Sequence, residues 1–319
     1  MHEVNATQTL VSGSTAVTEP LKKTKHRRRR FEFGFLLLAV PALVVYLGFL
    51  IGPVIGGFYF SLTQWDGINA PRWIGLDNFV RLAGDDQFWS ALVHTFVFTT
   101  IILVGQVGFG LGLALLLNRA SRAVPFMRGV FFAPTLMSTA VIALVWGFIY
   151  SPTVGILHGL AKSVGLGDSV LGNVLGGQQS ALPGVSIVVI WQFVGYMMII
   201  FLAGLKSIPK EIYEAASLDG AAGFKQFRSI TWPLLAPSTS IAVLISLAGN
   251  LKLFDQVFLM TGGGPAGATE TVGTLIYRTA FVNSDYGYSV AQSVVLTLLI
   301  ALVVLIQRRF TMRRDREAS

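Results

Sequence analysis

Residues 206–233 read KSIPKEIYEAASLDGAAGFKQFRSITWP, a stretch of mixed polarity that lies between two long apolar runs. Pro209 suits the first turn of a helix, where its missing N–H loses no helical hydrogen bond. Gly220 follows Asp219 and readily takes the left-handed conformation that ends a helix. The stretch therefore predicts two short helices joined by a glycine turn, with Pro233 opening the apolar run that follows.

Apolar runs dominate the rest of the chain. Of its 319 residues, 53% are hydrophobic and 13% are charged, and the mean hydropathy is +0.65, which is typical of a protein surrounded by lipid. A hydrocarbon core of about 30 Å takes about 20 apolar residues to cross. Six apolar windows of about that length lie at 33–62, 91–117, 129–151, 184–205, 234–260 and 289–306. The sequence thus predicts an all-α membrane protein with six transmembrane helices.

The distribution of basic residues predicts how these helices are oriented. Lys and Arg accumulate in loops on the cytoplasmic side of a membrane. With both termini in the cytoplasm, 19 of the 24 Lys and Arg residues fall on that side and four on the outer side. The predicted parts are a flexible basic cytoplasmic tail at 1–30, a transmembrane domain at 31–310 that includes the loop at 207–233, and a basic cytoplasmic tail at 311–319.

Composition narrows the chemistry that the chain can carry. Cysteine is absent, and the four histidines, at positions 2, 26, 94 and 158, are far apart, which excludes thiol chemistry and gives no metal-ligand cluster. The net charge of +8 comes from short basic runs beside apolar windows, a pattern that indicates membrane loops rather than nucleic-acid binding. We therefore expect no catalytic residues, no metal site and no cofactor bound by this chain.

The loop at 206–233 carries a longer pattern than its two helices require. Glu-Ala-Ala is followed after three residues by Gly, and after nine more by Ile-Thr-Trp-Pro. This pattern resembles the EAA loop of binding-protein-dependent ABC importer permeases, with Trp232 where Leu is usual. The resemblance implies a type I importer architecture and a loop that couples the chain to ATP hydrolysis elsewhere. The coupling residues that it implies are Glu214, Ala215, Ala216, Asp219, Gly220, Ile230 and Pro233.

Further tracts are similar to the sugar-permease branch of that family. They are GLDNF at 75–79, FFAP at 131–134, YSP at 150–152, FLAGL at 201–205, FDQV at 254–257 and MTGGGP at 260–265. The branch usually has Asn where this chain has His158. The resemblance implies import of a sugar across the bacterial cytoplasmic membrane. It also implies three partners: a second homologous permease subunit, a dimeric ATP-binding subunit and an extracytoplasmic solute-binding protein.

A nucleotide site is not expected on this chain. No run matches the phosphate-binding pattern Gly-x4-Gly-Lys-Ser/Thr, because the nearest run, at 262–267, is followed by Ala268. We therefore expect ATP and Mg²⁺ on the partner subunit and no enzymatic activity in the chain itself. The glycine-rich turn at 262–265 is expected to face outward, where it either contacts the binding protein or supports the charged segment before it.

Polar residues inside two apolar windows are candidates for the substrate pathway. Lys252 and Asp255 lie three residues apart in the fifth window, where a charge costs about 2.5–3.5 kcal/mol on insertion scales. On one helical face they can form a structural ion pair or line the pathway. The other candidates are Trp191, Gln192, Tyr196 and Asn250. Aromatic faces and amides suit the C–H groups and hydroxyls of sugars, although helix packing explains these residues equally well.

Other functions remain open at this point. A permease of the same family for a non-sugar solute, such as a glycerol phosphate ester, would carry the same loop. A secondary transporter would be expected to show more intramembrane charges and an inverted repeat, which we do not find in the sequence. A membrane enzyme would need reactive side chains clustered on one side of the bilayer.

Overall fold

The computed structural model describes residues 33–119, 121–167 and 169–317. Almost all of the regular structure there is helical, as the sequence predicts. The exception among these residues is an antiparallel pair of two-residue strands, β1 (Thr63–Gln64) and β2 (Arg72–Trp73). The predicted tail at 1–30 lies outside the described residues. By its internal contacts the chain divides into two units, 1–52 and 53–319.

The described part of the first unit is one helical run. It consists of α1 (Phe33–Tyr46) and a π-helical turn (Leu47–Ile51), and the chain then enters α2 (Gly52–Phe60). Within this run, the 22 residues Ala39–Phe60 are long and apolar enough to cross a membrane. A helix with the length and composition of a membrane span therefore lies where the window at 33–62 predicts one.

The second unit contains thirteen further helices among the described residues. In chain order they are α3 (Asp77–Ala83), α4 (Asp86–Leu116), α5 (Val124–Phe132), α6 (Thr139–Ile149), α7 (Ile156–Ser163), α8 (Gln178–Ser207), α9 (Lys210–Leu218), α10 (Gly223–Gln226), α11 (Trp232–Leu234), α12 (Ala236–Asn250), α13 (Asp255–Met260), α14 (Val272–Tyr277) and α15 (Tyr286–Glu317). A 3₁₀ turn (Ala133–Leu136) follows α5, and π-helical turns follow α10 (Phe227–Thr231) and α14 (Arg278–Val282). α4, α8 and α15 are each long and apolar enough to cross a membrane.

Two of the predicted windows do not form straight helices. The window at 129–151 contains the end of α5 and all of α6, which meet at an angle of 97°. Met137 and Ser138 are extended between them, directly after a 3₁₀ turn that contains Pro134. At the start of the fifth window, 234–260, the segment Gly223–Leu234 meets α12 at an angle of 67°. The described residues therefore hold four long spans, or up to six when each bent pair counts as one.

The fifth window, 234–260, is also interrupted near its end. α12 ends at Asn250 and α13 begins at Asp255, so the segment between them is not helical. The carbonyl of Leu253 in this break accepts a hydrogen bond of 2.9 Å from the hydroxyl of Thr271. Non-helical backbone inside an apolar run is tolerated where other parts of the protein supply such partners.

The centre of the second unit is the contact between α4 and α8. Gly110 of α4 lies so close to α8 that a Cβ atom at this position would come within 2.6 Å of the Met197 Cβ. α12 packs against both helices, and buried side chains such as Phe201 and Leu235 fill the space between them. The three helices therefore form a rigid frame for the groups that project between them.

Candidate functional site

A cavity of about 440 Å³ lies between α4, α8, α12 and α13, with α6 at its side. Its apolar wall includes Val189, Phe193, Met197 and Ile245. Its polar lining consists of Gln106, Thr135, Thr139, Tyr196, Ser246, Asn250, Lys252, Asp255 and Gln256. The structure thus brings four of the six predicted pathway residues to one cavity, namely Tyr196, Asn250, Lys252 and Asp255.

A buried hydrogen-bond network joins α4 to α12 at this cavity. The side-chain oxygen of Gln106 accepts a hydrogen bond of 2.8 Å from the Ser246 hydroxyl and one of 3.3 Å from the Asn250 amide. The same Asn250 amide donates to the Ser246 hydroxyl at 2.9 Å. All three side chains are buried. Because each of the three side chains is hydrogen-bonded to the other two, the network fixes the positions of the Gln106 and Asn250 amides at the cavity.

The three predicted pathway residues on α8 have three different surroundings. Tyr196 lines the cavity. Gln192 is buried beside it and accepts a 3.0 Å hydrogen bond from Gln256, which does line the cavity. Trp191 packs edge-on against Trp146, with ring centroids 5.4 Å apart, and lines a separate apolar groove. Gln192 therefore reaches the cavity only through its partner, and Trp191 does not reach it.

Lys252 and Asp255 do not share a helical face. Lys252 lies in the turn after α12, and Asp255 is the first residue of α13, so the helical spacing assumed for them is wrong. No ion pair joins them in the described chain; the carboxylate of Asp255 instead accepts a hydrogen bond from the Thr139 hydroxyl of α6. Both side chains are exposed at the cavity.

The loop at 207–233 forms the two helical segments and the glycine turn that the sequence predicts, but Pro233 lies inside the second segment and does not open the next span, which begins at Ala236. α9 ends at Leu218, and Gly220 then takes a φ of +73°. Gly223, which the pattern did not single out, has a φ of +56° where α10 begins. The remaining pattern residues are Ile230 in the π-helical turn and Pro233 in α11.

One face of this loop is exposed and apolar. Leu218 is 89% exposed and Phe224 is 74% exposed, and both flank the glycine turn. Glu214 and Ala215 are exposed beside them, whereas Ala216 is buried. The turn therefore presents a small apolar surface with an acidic residue at its edge.

The other face of the loop is attached to the helix bundle. The Tyr213 hydroxyl lies 3.3 Å from the Thr231 hydroxyl, and the Gln226 amide donates to the Tyr213 carbonyl at 3.5 Å. Tyr213 and Phe227 pack against a buried cluster that includes Phe201 of α8. The same cluster reaches Met197, Tyr196 and Ile245, which line the cavity. Continuous apolar contacts thus connect the loop to the cavity.

The glycine-rich turn after α13 is held by hydroxyl groups. Gly262, Gly263 and Gly267 all have positive φ. The Thr269 hydroxyl donates to the Gly264 carbonyl at 2.6 Å and lies 2.8 Å from the Thr261 hydroxyl. Two residues later, Thr271 bonds to the break after α12. Because Thr271 lies beyond the turn at 262–265, this contact does not favour either of the two roles expected for the turn.

The cavity, the loop and the broken window lie within one stretch of chain that matches a known family. Residues 106–316 match the family described as binding-protein-dependent transport system inner membrane component. The chain belongs to this family. The permease also has relatives along most of its length, so the assignment does not depend on the loop alone.

Two of these relatives illustrate the similarity. The probable starch degradation products transport system permease protein AmyD of Thermoanaerobacterium thermosulfurigenes is 35% identical to the permease over 285 residues, which are 89% of this chain and 95% of AmyD. The sn-glycerol-3-phosphate transport system permease protein UgpA of Agrobacterium fabrum is 32% identical over 280 residues, 87% of this chain and 94% of UgpA. A bacterial ABC transporter structure involved in alginate import shares the fold, with a TM-score of 0.76 at 23% identity over 88% of the permease and 96% of that chain.

Five polar cavity residues of the permease were missed by the sequence reasoning, namely Gln106, Thr135, Thr139, Ser246 and Gln256. All five are neutral polar residues inside apolar windows. Polar groups inside spans generally face a cavity or a partner, and a search for uncharged ones would have found them. Lys252 and Asp255 could be picked out from the sequence because a charged side chain costs more free energy in lipid than a neutral polar one.

Proposed function

We propose that the permease translocates a sugar and that the cavity lies on its path. The observation that carries this proposal is the wall of the cavity, where the amides of Gln106, Asn250 and Gln256 lie near Phe193 and Tyr196. Amides donate to and accept from hydroxyls, and aromatic rings pack against sugar C–H faces. The relatives' names support the same solute class, since AmyD is named for starch degradation products.

A glycerol phosphate ester is the second candidate solute. One relative, UgpA, is named for sn-glycerol 3-phosphate, and the exposed ammonium of Lys252 at the cavity would attract a phosphate. The carboxylate of Asp255 lines the same cavity and would repel it. Because the two charges offset each other, the lining favours a neutral solute.

The proposal includes a topology with six spans and both termini in the cytoplasm. It treats each bent pair, α5 with α6 and the segment Gly223–Leu234 with α12, as one span. The transmembrane domain would then occupy 31–310, between basic tails at 1–30 and 311–319. The excess of Lys and Arg on one side of the predicted spans supports this orientation.

In the same proposal, the loop at 207–233 docks on a dimeric ATP-binding subunit, which would hold ATP and Mg²⁺. Its support is the exposed apolar turn around Leu218 and Phe224, together with the small side chain of Ala215. A short helix of this kind fits a groove in a partner. Glu214 would meet basic or polar groups there.

Coupling then requires a path from the loop to the solute. The cluster that runs from Tyr213 and Phe227 to Tyr196 and Ile245 supplies a continuous packed connection. Close-packed interiors transmit displacement because side chains cannot be compressed. Movement of the loop would shift the α8 and α12 sides of the cavity, which is what alternating access needs. A second homologous permease subunit and an extracytoplasmic binding protein would complete the importer.

The solute class can be tested in vesicles that contain the complete importer. Uptake of radiolabelled maltose would be measured with the binding protein present, against unlabelled trehalose, malto-oligosaccharides and sn-glycerol 3-phosphate as competitors. Maltose uptake that neutral sugars inhibit and sn-glycerol 3-phosphate does not would support the proposal. ATP-dependent uptake of sn-glycerol 3-phosphate without uptake of any neutral sugar would overturn it in favour of the second candidate.

A further inference from the structure

Helix α7 carries an apolar stripe that nothing in the described chain covers. Ile156 and Leu160 of the helix and Val164 directly after its end follow one another at intervals of four residues, and they are 69%, 60% and 69% exposed. Residues four apart lie on one face of a helix. Leu157 and Ala161, each about 100° further round the helix than Ile156 and Leu160, are partly or fully buried against the protein. The helix is therefore amphipathic, with Ile156 and Leu160 directed away from the protein.

Hydrogen bonds hold α7 in this orientation. The ring Nδ1 of His158 lies 3.0 Å from the Gly172 carbonyl, and the Leu166 amide donates to the Ala161 carbonyl at 2.7 Å. Before the helix, the Gly155 amide donates to the Ser151 carbonyl at 2.9 Å. His158 thus ties the helix to the segment that follows it. The exposed stripe is a fixed feature of the fold and does not result from a loose loop.

The elements before and after α7 in the chain indicate what surrounds it. It lies between α6 and the long apolar helix α8, and five residues separate α6 from Gly155, which precedes α7. The exposed face of α6 is itself apolar and includes Leu144, Val145 and Phe148. The chain thus passes within a few residues from the exposed apolar face of a predicted span to the apolar stripe of α7. With eight residues, about 12 Å long, α7 is too short to cross a bilayer.

We propose that α7 lies flat in the membrane interface, with its stripe in the acyl region of phospholipids. Short amphipathic helices with a polar face bind membranes in this way. Lys162 is exposed on the face away from Leu160 and would reach lipid phosphate groups. The helix would then anchor the connection between α6 and α8 at the bilayer surface. This inference does not depend on which solute is carried or on which side of the membrane α7 lies.

The absence of cysteine allows a direct test with spin labels. Leu160→Cys, Val164→Cys and, as the matched control on the opposite face, Lys162→Cys would each carry a nitroxide. All three side chains are exposed, so their replacement leaves the core intact. The complete importer would be reconstituted in vesicles of phosphatidylethanolamine and phosphatidylglycerol. Collision rates with oxygen, which enters the acyl region, and with a water-soluble nickel chelate would be measured.

We expect oxygen to collide more often than the chelate with labels at 160 and 164, and the chelate to dominate at 162. Dominance of the chelate at 160 and 164 would place the stripe in water and overturn the proposal. Low collision rates with both reagents would place it against a protein, either the second permease subunit or the binding protein. That result would also overturn the proposal, while leaving the proposed solute unaffected.

Discussion

The hydroxyl of Tyr288 donates a hydrogen bond to the carboxylate of Asp85, and this bond joins the first turns of α15 and α4. Asp85 also caps α4, because the same carboxylate accepts from the amides of Gln87 at 2.9 Å and Phe88 at 3.2 Å. The Arg81 guanidinium lies 3.9 Å from the centre of the Tyr288 ring. One side chain thus serves both as a helix cap and as a tertiary link.

Asp85→Ala should destabilise the permease more than Tyr288→Phe does. Loss of the cap costs about 0.5–2 kcal/mol, and loss of a hydrogen bond to a charged group about 1.5–3 kcal/mol. Asp85→Ala removes both, whereas Tyr288→Phe removes only the second. Thermal unfolding in detergent would measure the difference. Tyr286→Phe is the control, since its hydroxyl has no hydrogen bond among the described residues; equal losses in Tyr286→Phe and Tyr288→Phe would contradict the link.

Gly220→Val should uncouple ATP hydrolysis from transport. The φ of +73° at this position strains any residue with a Cβ, at a cost of about 1–3 kcal/mol, although no neighbouring atom would be hit. Membrane insertion should be normal, while stimulation of ATPase activity by loaded binding protein should fall about 5- to 150-fold, the usual range of a coupling free energy. Gly129→Ala, at a glycine of ordinary φ with open space around it, should behave like wild type.

Glu214→Lys tests the same loop without strain. The exposed carboxylate would become an exposed ammonium, so the fold should be unchanged. Retention of the ATP-binding subunit during purification should weaken, and uptake should fall with it. Lys210→Glu, a reversal of the opposite sign at the start of α9, serves as the matched control. Wild-type uptake and subunit retention in both Glu214→Lys and Gly220→Val would remove the proposed role of the loop.

Gln106→Leu should weaken both folding and solute recognition. The change leaves the Ser246 hydroxyl and the Asn250 amide without their shared acceptor, at about 1–3 kcal/mol for each unsatisfied group. The freed amide would then change its position at the cavity, so the apparent KM for uptake should rise about tenfold or more. Thr100→Val is the control on α4, because that hydroxyl bonds only to its own helix. An unchanged KM in Gln106→Leu would argue against the cavity.

Replacing Lys252 and Asp255 together should give nearly the sum of the two single effects. No hydrogen bond or ion pair joins them in the described structure, so their coupling should stay within about 0.5 kcal/mol. Asp255→Ala and Thr139→Val should instead be strongly non-additive, since these two residues share a hydrogen bond. Double-mutant cycles on thermal stability would measure both. Strong coupling in the first pair would restore the ion pair that the helical spacing suggested.

Arg278→Gln should make stability more dependent on pH. Burial raises the pKa of Glu270 above its ordinary value of 4.5, while Arg278 and, more weakly, His94 oppose the shift. The folded state therefore binds this proton more tightly than the unfolded state, so stability falls as pH rises above the ordinary value. Without Arg278 the buried carboxylate is unpaired, at a cost toward the lower end of about 3–5 kcal/mol, because Arg278 is partly exposed.

Thermal unfolding in detergent at pH 5 and pH 8 would measure this effect. The loss of Tm between the two values should be larger in Arg278→Gln than in wild type. This extra loss of Tm should disappear when Glu270→Gln is added to Arg278→Gln. The double variant thus distinguishes the contribution of Glu270 from that of His94 on α4. Arg72→Gln, at an exposed arginine without an ion pair in the described chain, provides the comparison. A Tm that rises with pH in Arg278→Gln would reverse the assignment.

The sequence was most informative where local chemistry decides the conformation. Pro209 and Gly220 act on their own backbone, so the two helices and the turn could be predicted from spacing. The break after α12 could not, because it depends on a hydroxyl supplied by Thr271, eighteen residues beyond Leu253. The network around Gln106 was hidden for the same reason, since its partner Ser246 lies 140 residues away.

The break at 251–254 has an electrostatic consequence for the two charges beside it. An α-helix carries roughly half a negative charge at its C-terminus and half a positive charge at its N-terminus. Lys252 lies two residues beyond the last residue of α12, and Asp255 occupies the first position of α13. Each ionised side chain thus lies next to backbone dipoles of opposite sign. The backbone thus offers each of the two residues a dipole of opposite sign at the break, where no ion pair joins them among the described residues.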